Sequence, residues 1–87
     1  MQKITLFHLE YCPYCREARR WMTELQNENP AYLKLEIQLI DERKDADLAD
    51  AYDYYYVPTY YVDGKKIHEG AASREDVRAV LDAALEK

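Results

Sequence analysis

The sequence predicts a single α/β domain over residues 1–87, in which a four-stranded mixed sheet is flanked by three helices in the order β-α-β-α-β-β-α. Three observations predict this class. A β-rich run, a helical run and a second β-rich run fill the first half, which indicates two parallel strands joined by a right-handed crossover. The pair Asp63-Gly64 separates two further β-rich runs and indicates a hairpin. The last segment has the apolar spacing of a covering helix.

In the first half, the segment Lys3–His8 predicts a central strand, because its apolar residues fall on both faces. Pro13 fits the first position of the helix that follows, and the segment Asn27–Pro30 ends it. The apolar face of this helix consists of Tyr14, Ala18, Trp21, Met22 and Leu25. Apolar and polar residues then alternate from Tyr32 to Ile40, which predicts a half-exposed strand. The alternating apolar positions are Leu33, Leu35, Ile37 and Leu39.

In the second half, the acidic segment Asp41–Asp53 is a candidate for a short helix. The segment Val57–Val62 predicts a strand in which Pro58 stands at the start or at an edge, since proline cannot donate to the strand ladder. The hairpin turn leads into a strand over Lys65–Gly70. The last helix opens with the capping-box pattern Ser73–Asp76. Its apolar face consists of Val77, Val80, Leu81, Ala84 and Leu85.

Composition and charge exclude several classes of protein. Apolar residues make up 48% of the chain and charged residues 33%, which is typical of a globular domain. A net charge of −5 argues against a nucleic-acid binder. The sequence contains no run long enough to cross a bilayer, and its first residues lack the pattern of a signal peptide. We therefore expect a monomeric cytoplasmic protein that binds neither nucleic acid nor membranes. A structural disulfide is disfavoured in that compartment.

The two cysteines, Cys12 and Cys15, stand where the first strand passes into the first helix, with Pro13 and Tyr14 between them. If Cys12 is the N-cap, the unpaired amides of the first turn point towards its sulfur, and the helix dipole adds about half a positive charge there. Both effects favour the thiolate, so the pKa of Cys12 should lie below the free value of roughly 8.5. Three arginines add positive charge nearby: Arg16, Arg19 and Arg20.

Cys15 lies about one helical turn beyond Cys12 on the same face, within reach of its sulfur. It is therefore positioned to attack a mixed disulfide formed at Cys12 and to release the reduced partner. We predict that Cys12 is the nucleophile and Cys15 the resolving cysteine. A zinc site completed by His8 and His68 is an alternative, although such sites usually show a second close pair of ligands. We predict no metal site and no tightly bound cofactor.

The motif Cys12-Pro13-Tyr14-Cys15, followed by Val57-Pro58, Asp63-Gly64 and a terminal helix, resembles the glutaredoxins of the thioredoxin superfamily over essentially the whole chain. The resemblance implies a thioredoxin-like fold in which Pro58 is cis and faces the cysteines. It also implies that the backbone of Val57 pairs with an extended substrate beside Cys12. Tyr14 and Gly70 keep their family positions at the glutathione site, and we place Pro13, Arg16 and Thr59 in support.

The chain departs from the glutaredoxins in two places. Leu9 stands where they carry a basic residue, and Ala72 stands where they carry the aspartate of a Gly-Gly-x-Asp motif. The stretch from Val57 to Val77 is instead similar to the corresponding part of thioredoxins. Because Glu69 adds negative charge near an anionic ligand, we expect weak or shifted glutathione binding, with a protein disulfide as the main substrate.

Two groups of residues remain candidates for holding glutathione carboxylates. The free amides at the start of the last helix, near Ser73 and Arg74, can bind one carboxylate. Arg43 or Lys44 can meet the other.

The predicted function is a thiol–disulfide oxidoreductase acting through the two cysteines on protein disulfides, on glutathione mixed disulfides or on both. Its electron donor is glutathione or a thioredoxin-reductase-type flavoprotein. The alternative of another class is an iron–sulfur or zinc-binding module that uses Cys12.

Overall fold

The computed structural model describes residues 2–86. Its elements, in chain order, are β1 (Ile4–His8), α1 (Pro13–Glu28), a 3₁₀ helix (Pro30–Lys34), β2 (Ile37–Asp41), α2 (Ala46–Asp50), β3 (Thr59–Val62), β4 (Lys65–Glu69) and α3 (Arg74–Leu85). This order of strands and α-helices confirms the predicted fold class. None of the helices in the described residues is long and apolar enough to span a membrane.

The sheet has the strand order β2-β1-β3-β4. β1 pairs with β2 in parallel, which confirms the predicted β-α-β crossover, and it pairs with β3 in an antiparallel ladder. All five residues of β1 are buried, as expected of a central strand. β3 and β4 form the predicted hairpin, in which both turn residues, Asp63 and Gly64, have positive φ angles of 51° and 83°.

Apolar residues form one core on each face of the sheet. The larger core lies under α1 and α3 and includes Leu6, Leu25, Tyr60, Val77 and Leu81. The smaller core, on the opposite face, is built around Phe7. The Phe7 ring lies 4.7 Å from that of Tyr52 and 4.8 Å from that of Tyr54, measured between centroids, and it meets Tyr61 edge-on at 5.7 Å. Part of the tyrosine-rich segment from Tyr52 to Tyr61 therefore belongs to the core.

The helix starts agree with the sequence patterns. Cys12 is the N-cap of α1, and Pro13 is its first residue. At the start of α3, the Ser73 hydroxyl accepts from the Asp76 amide, and the Asp76 carboxylate accepts from the Ser73 amide. This is the predicted capping box, and it satisfies two amides that would otherwise be unpaired.

The strand predicted from Tyr32 to Ile40 is wrong in its first half, where a 3₁₀ helix takes its place. Asn29 starts this 3₁₀ helix by accepting from the amide of Ala31. Tyr32 is buried, and its hydroxyl donates to Asp82 on α3. A contact with a distant helix therefore overrides the local alternation.

The predicted burial of alternate residues is also wrong in part. Leu33 is 62% exposed on the 3₁₀ helix, and Leu39 is 49% exposed on the edge strand β2. Ile40 is buried instead, because it lies opposite Phe7 and packs in the smaller core. The acidic helix candidate over Asp41–Asp53 is shorter than predicted, since α2 spans five residues.

Candidate active site

One edge of the sheet brings together the segments that carry the predicted site. β1 and β3 are antiparallel, and Phe7 near the end of β1 lies opposite Thr59 at the start of β3. Cys12, which follows β1, and Pro58, which precedes β3, therefore belong to the same edge. β2, parallel to β1, and β4, antiparallel to β3, also end there. The topology thus gathers four chain segments around the start of α1.

The two cysteines differ in exposure. Cys12 has an extended backbone at the N-cap position and is partly exposed, whereas Cys15 is 0% exposed. Both are free thiols. A disulfide partner can therefore approach Cys12 from solvent but cannot reach Cys15 directly.

The start of α1 promotes ionisation of Cys12. Burial opposes the thiolate, but the backbone amide and side chain of Cys15, the amide of Tyr14 and the charge of Arg19 outweigh it. The pKa of Cys12 is therefore lowered. The expected effect of the unpaired amides at the helix N-terminus is confirmed.

The pKa of Cys15 is shifted in the opposite direction. Burial, followed by the hydrogen bond and charge of Cys12, raises the pKa of Cys15 to about 11. The amide of Leu9 opposes this shift by donating to the Cys15 sulfur at 3.4 Å. The partly exposed sulfur of Cys12 therefore ionises more readily than an ordinary thiol, while the buried sulfur of Cys15 remains a thiol at neutral pH.

Arg19 is the arginine whose charge acts on both sulfurs. Its Nη1 donates to Nδ1 of His8 at 2.9 Å, and its Nη2 donates to the carbonyl of Glu10 at 3.0 Å. Burial and then the charge of Arg19 lower the pKa of His8, which favours the neutral ring that accepts this hydrogen bond. The end of β1 thereby holds the guanidinium beside the cysteines.

The sequence did not single out Arg19 from its neighbours. The signal was available, since Arg19 lies four residues after Cys15 and hence on the same helix face. The supporting position that we predicted for Arg16 is an exposed one. Arg20 instead lies over the ring of Trp21, with its Cζ 4.6 Å from the centroid.

Replacing Arg19 with glutamine should raise the pKa of Cys12 and move the pH profile of its alkylation by iodoacetamide to higher pH. A cation that lowers a thiol pKa keeps the thiolate present at lower pH, so its removal has the largest effect on the acidic side. We expect alkylation there to slow by roughly threefold to tenfold, the loss of one partly screened charge. Arg20→Gln is the matched control and should leave the profile unchanged. Superimposable profiles for Arg19→Gln and the wild type would contradict the role of Arg19.

The loop before β3 is held by contacts around Pro58. The Val57-Pro58 peptide is cis, as the resemblance implies. The buried Thr59 hydroxyl donates to the carbonyl of Tyr56, and the amide of Gly70 donates to the carbonyl of Pro58 at 2.8 Å. Thr59 and Gly70, both predicted site residues, therefore lie directly beside Pro58.

Glu69 holds the same loop from the end of β4. Its Oε2 accepts from the amides of Tyr55 and Tyr56 at 2.5 and 3.0 Å, and its Oε1 accepts from Lys66 at 2.8 Å. The hydrogen bond from Lys66, with those from the two amides, lowers the pKa of Glu69 to about 2. The sequence suggested only that Glu69 repels an anionic ligand. In the structure, its charge is paired and orders the loop.

Cys12 opens onto a cavity of about 370 Å³. The other residues that line it are Leu9, Glu10, Tyr11, Asp41, Arg43 and Lys44. A second cavity of about 490 Å³ shares Leu9 and Arg43 and extends to the tyrosines of residues 52–55. The structure thus brings Arg43 and Lys44, our candidates for binding a carboxylate, to the nucleophile. Lys44 also lies 3.7 Å from the carboxylate of Glu10.

At the start of α3, the side chains of Ser73 and Arg74 are engaged within the chain. Ser73 is part of the capping box, and the Arg74 side chain pairs with Glu28. Glu28 is the last of the 16 residues of α1, so a rise of about 1.5 Å per residue separates it from the Cys12 end by roughly 24 Å. The structure does not bring the Arg74 side chain to the cysteines.

Neither histidine belongs to a cluster with the cysteines. Within residues 2–86, no group of three or more His, Cys, Asp and Glu side chains is arranged to hold a metal ion. His8 contacts Arg19, and Nε2 of His68 lies 3.0 Å from the carbonyl of Ala71.

Comparisons with known proteins agree with this geometry. A family model described as Thioredoxin domain matches residues 2–82. A protein named Thioredoxin from Methanocaldococcus jannaschii is 33% identical over 73 residues, which cover 84% of each chain. These two matches concern the sequence and reach across most of the chain.

Solved structures show the same fold at lower identity. Thioredoxin from Malassezia sympodialis superposes with a TM-score of 0.76 at 17% identity, covering 97% of this chain and 75% of that one. Oxidised thioredoxin from Plasmodium falciparum gives a TM-score of 0.72 at 16% identity, with 94% and 79% covered. The fold is therefore thioredoxin-like. Together with the family match and the relative from Methanocaldococcus jannaschii, the fold shows that this chain belongs to the thioredoxin domain family.

Proposed function

We propose that this protein is a thioredoxin-type thiol–disulfide oxidoreductase that reduces disulfides of other proteins. One observation carries the proposal. A partly exposed cysteine with a lowered pKa stands at the N-cap of a helix, three positions before a buried cysteine whose pKa is raised. This is the arrangement that a nucleophile and a resolving thiol require, because the thiolate is the attacking species and the second thiol must wait for the first step.

The reaction proceeds in two exchanges. The Cys12 thiolate attacks one sulfur of the substrate disulfide, forming a mixed disulfide and releasing the other substrate sulfur as a thiolate, which takes up a proton. Cys15 then loses its proton and attacks the Cys12 sulfur. The mixed disulfide breaks, the second substrate sulfur leaves and is protonated, and a Cys12–Cys15 disulfide forms. The substrate gains two electrons and the protein loses two.

The loop before β3 supports docking of an extended substrate. Among residues 2–86, no backbone hydrogen bond engages Val57, whereas its neighbours on both sides are held. Its N–H and C=O groups are free to pair with a substrate main chain at the edge that carries Cys12. Tyr11 and Tyr14, which flank the Cys12-Pro13 pair, are 75% and 61% exposed and offer apolar contact area to the partner.

The proposed electron donor is a thioredoxin-reductase-type flavoprotein, not glutathione. The family match and the relative named Thioredoxin support this choice. The residues at the expected glutathione-binding positions also weigh against glutathione as the donor. Leu9 is apolar, Ala72 is buried, and Arg74 is paired with Glu28. Arg43 and Lys44 beside Cys12 are the observation that favours glutathione as a secondary substrate.

The proposal is tested by oxidation of NADPH in two parallel systems, with insulin as the protein disulfide. We expect turnover with thioredoxin reductase and little turnover with glutathione plus glutathione reductase. Cys12→Ser gives the background rate in each system. Turnover in the glutathione system alone would overturn the proposed donor, and turnover in neither system would overturn the proposed function.

A further inference from the structure

We propose that the hydroxyl of Tyr60 is the hydrogen-bond donor that stabilises the Cys15 thiolate when Cys15 attacks the mixed disulfide. The inference rests on the proposed function and concerns its second exchange. It assigns a role to a side chain that lies outside the Cys12–Cys15 motif and takes no part in the attack by Cys12.

The sheet places Tyr60 and Cys15 on the same side. Tyr60, on β3, lies opposite Leu6 of β1, and both belong to the core between the sheet and α1. Ala18 of α1 is part of the same core and lies three residues after Cys15, so Cys15 shares its helix face. Cys15 and Tyr60 are each 0% exposed. The phenol and the resolving sulfur are therefore both buried on the α1 side of the sheet, and the charge of Cys15 acts on Tyr60.

The hydroxyl of Tyr60 has no hydrogen-bond partner within residues 2–86. A buried hydroxyl without a partner destabilises a fold, and phenylalanine would fill the same space without that cost. The thiol of Cys15 is a weak acceptor, and it already receives the amide of Leu9. A thiolate is a much stronger acceptor. The unpartnered hydroxyl therefore suits the state in which Cys15 carries a negative charge.

The charges around Cys15 agree with a donor role. Burial and the negative charge of Cys15 both raise the pKa of Tyr60, so the phenol keeps its proton when the thiolate forms. The charged and titratable groups that act on Cys15 from its own helix are Cys12 and Arg19. In the mixed disulfide Cys12 is uncharged, and Arg19 is shared with His8 and Glu10. Tyr60 is the group that the sheet contributes.

The test separates the two exchanges by stopped-flow absorbance, using the aromatic disulfide dithiobis(nitrobenzoate). The attack of Cys12 releases the first nitrothiobenzoate, and the attack of Cys15 on the mixed disulfide releases the second. We expect Tyr60→Phe to leave the first phase unchanged. The second phase should slow by about tenfold to a hundredfold near neutral pH, the size of one hydrogen bond to a charged group, and its pH profile should move to higher pH.

Tyr61→Phe is the matched control, because Tyr61 lies in the smaller core on the other face and donates to the carbonyl of Asp53 at 2.6 Å. It should lower the unfolding temperature without changing either phase. Tyr60→Phe should unfold at the wild-type temperature or above it. In the wild type, the NMR signal of the Tyr60 ring carbon bonded to oxygen should change as Cys15 ionises.

Unchanged rate and pH profile of the second phase in Tyr60→Phe would overturn the inference and leave the proposed function standing. A wild-type protein that shows no second phase would overturn both.

Discussion

Replacing Cys12 with serine should abolish the reduction of insulin disulfides, leaving only the rate seen without the protein. Cys12 is the more exposed member of the cysteine pair and the one whose pKa is lowered. A serine hydroxyl does not ionise at neutral pH, so the position loses its nucleophile. Cys15 cannot take over, because it is 0% exposed and burial raises its pKa to about 11. The measurement is the NADPH-coupled assay with insulin and thioredoxin reductase.

The control for Cys12→Ser is its thermal unfolding, which should stay close to that of the reduced wild type since the cysteines are free thiols. Activity of Cys12→Ser comparable to the wild type would contradict the assignment of the nucleophile. Such a result would mean that the buried sulfur reaches substrate, against its position in the fold.

The parts of the fold that sequence predicted well are those decided by neighbouring residues. The start of α1 depends on Cys12 and Pro13, and the start of α3 depends on reciprocal contacts between Ser73 and Asp76. The hairpin turn depends on two adjacent residues with positive φ. The strand that was wrongly predicted to begin at Tyr32 shows the limit of local sequence patterns. Tyr32 donates to Asp82, 50 positions away, and no local pattern records that contact.

The same limit applies to the candidate site. Both cysteines and the loop at Pro58 could be found from motifs. The spacing of Arg19 from Cys15 was visible in the sequence, but its contact with His8 was not. The role of Glu69 was not visible either, because both depend on which distant groups the fold brings together. Arg74 illustrates the reverse case. Its position at the start of α3 suggested ligand binding, but its side chain forms an ion pair with Glu28, 46 residues away.

The contrast between the two sulfurs also sets the order of the reaction. Burial and then the hydrogen bond and charge of Cys12 raise the pKa of Cys15 in the dithiol state. Once Cys12 is joined to a substrate, it no longer carries a negative charge, and its charge no longer contributes to the raised pKa of Cys15. The resolving thiol therefore becomes easier to ionise only after the substrate has been captured. A buried second thiol limits premature reaction, and the first exchange prepares the second.

Cys15→Ser should consequently stop the reaction after the first exchange. We expect the loss of protein-disulfide reduction together with accumulation of a mixed disulfide at Cys12, because the group that would break it is absent. Exchange that needs one thiol, with glutathione as the attacking partner, should persist. The measurement is intact-protein mass spectrometry after reaction with an oxidised protein substrate, with and without a reducing agent. The double variant Cys12→Ser/Cys15→Ser is the control and should form no adduct. If Cys15→Ser reduced insulin at the wild-type rate without forming an adduct, Cys15 would not be the resolving thiol.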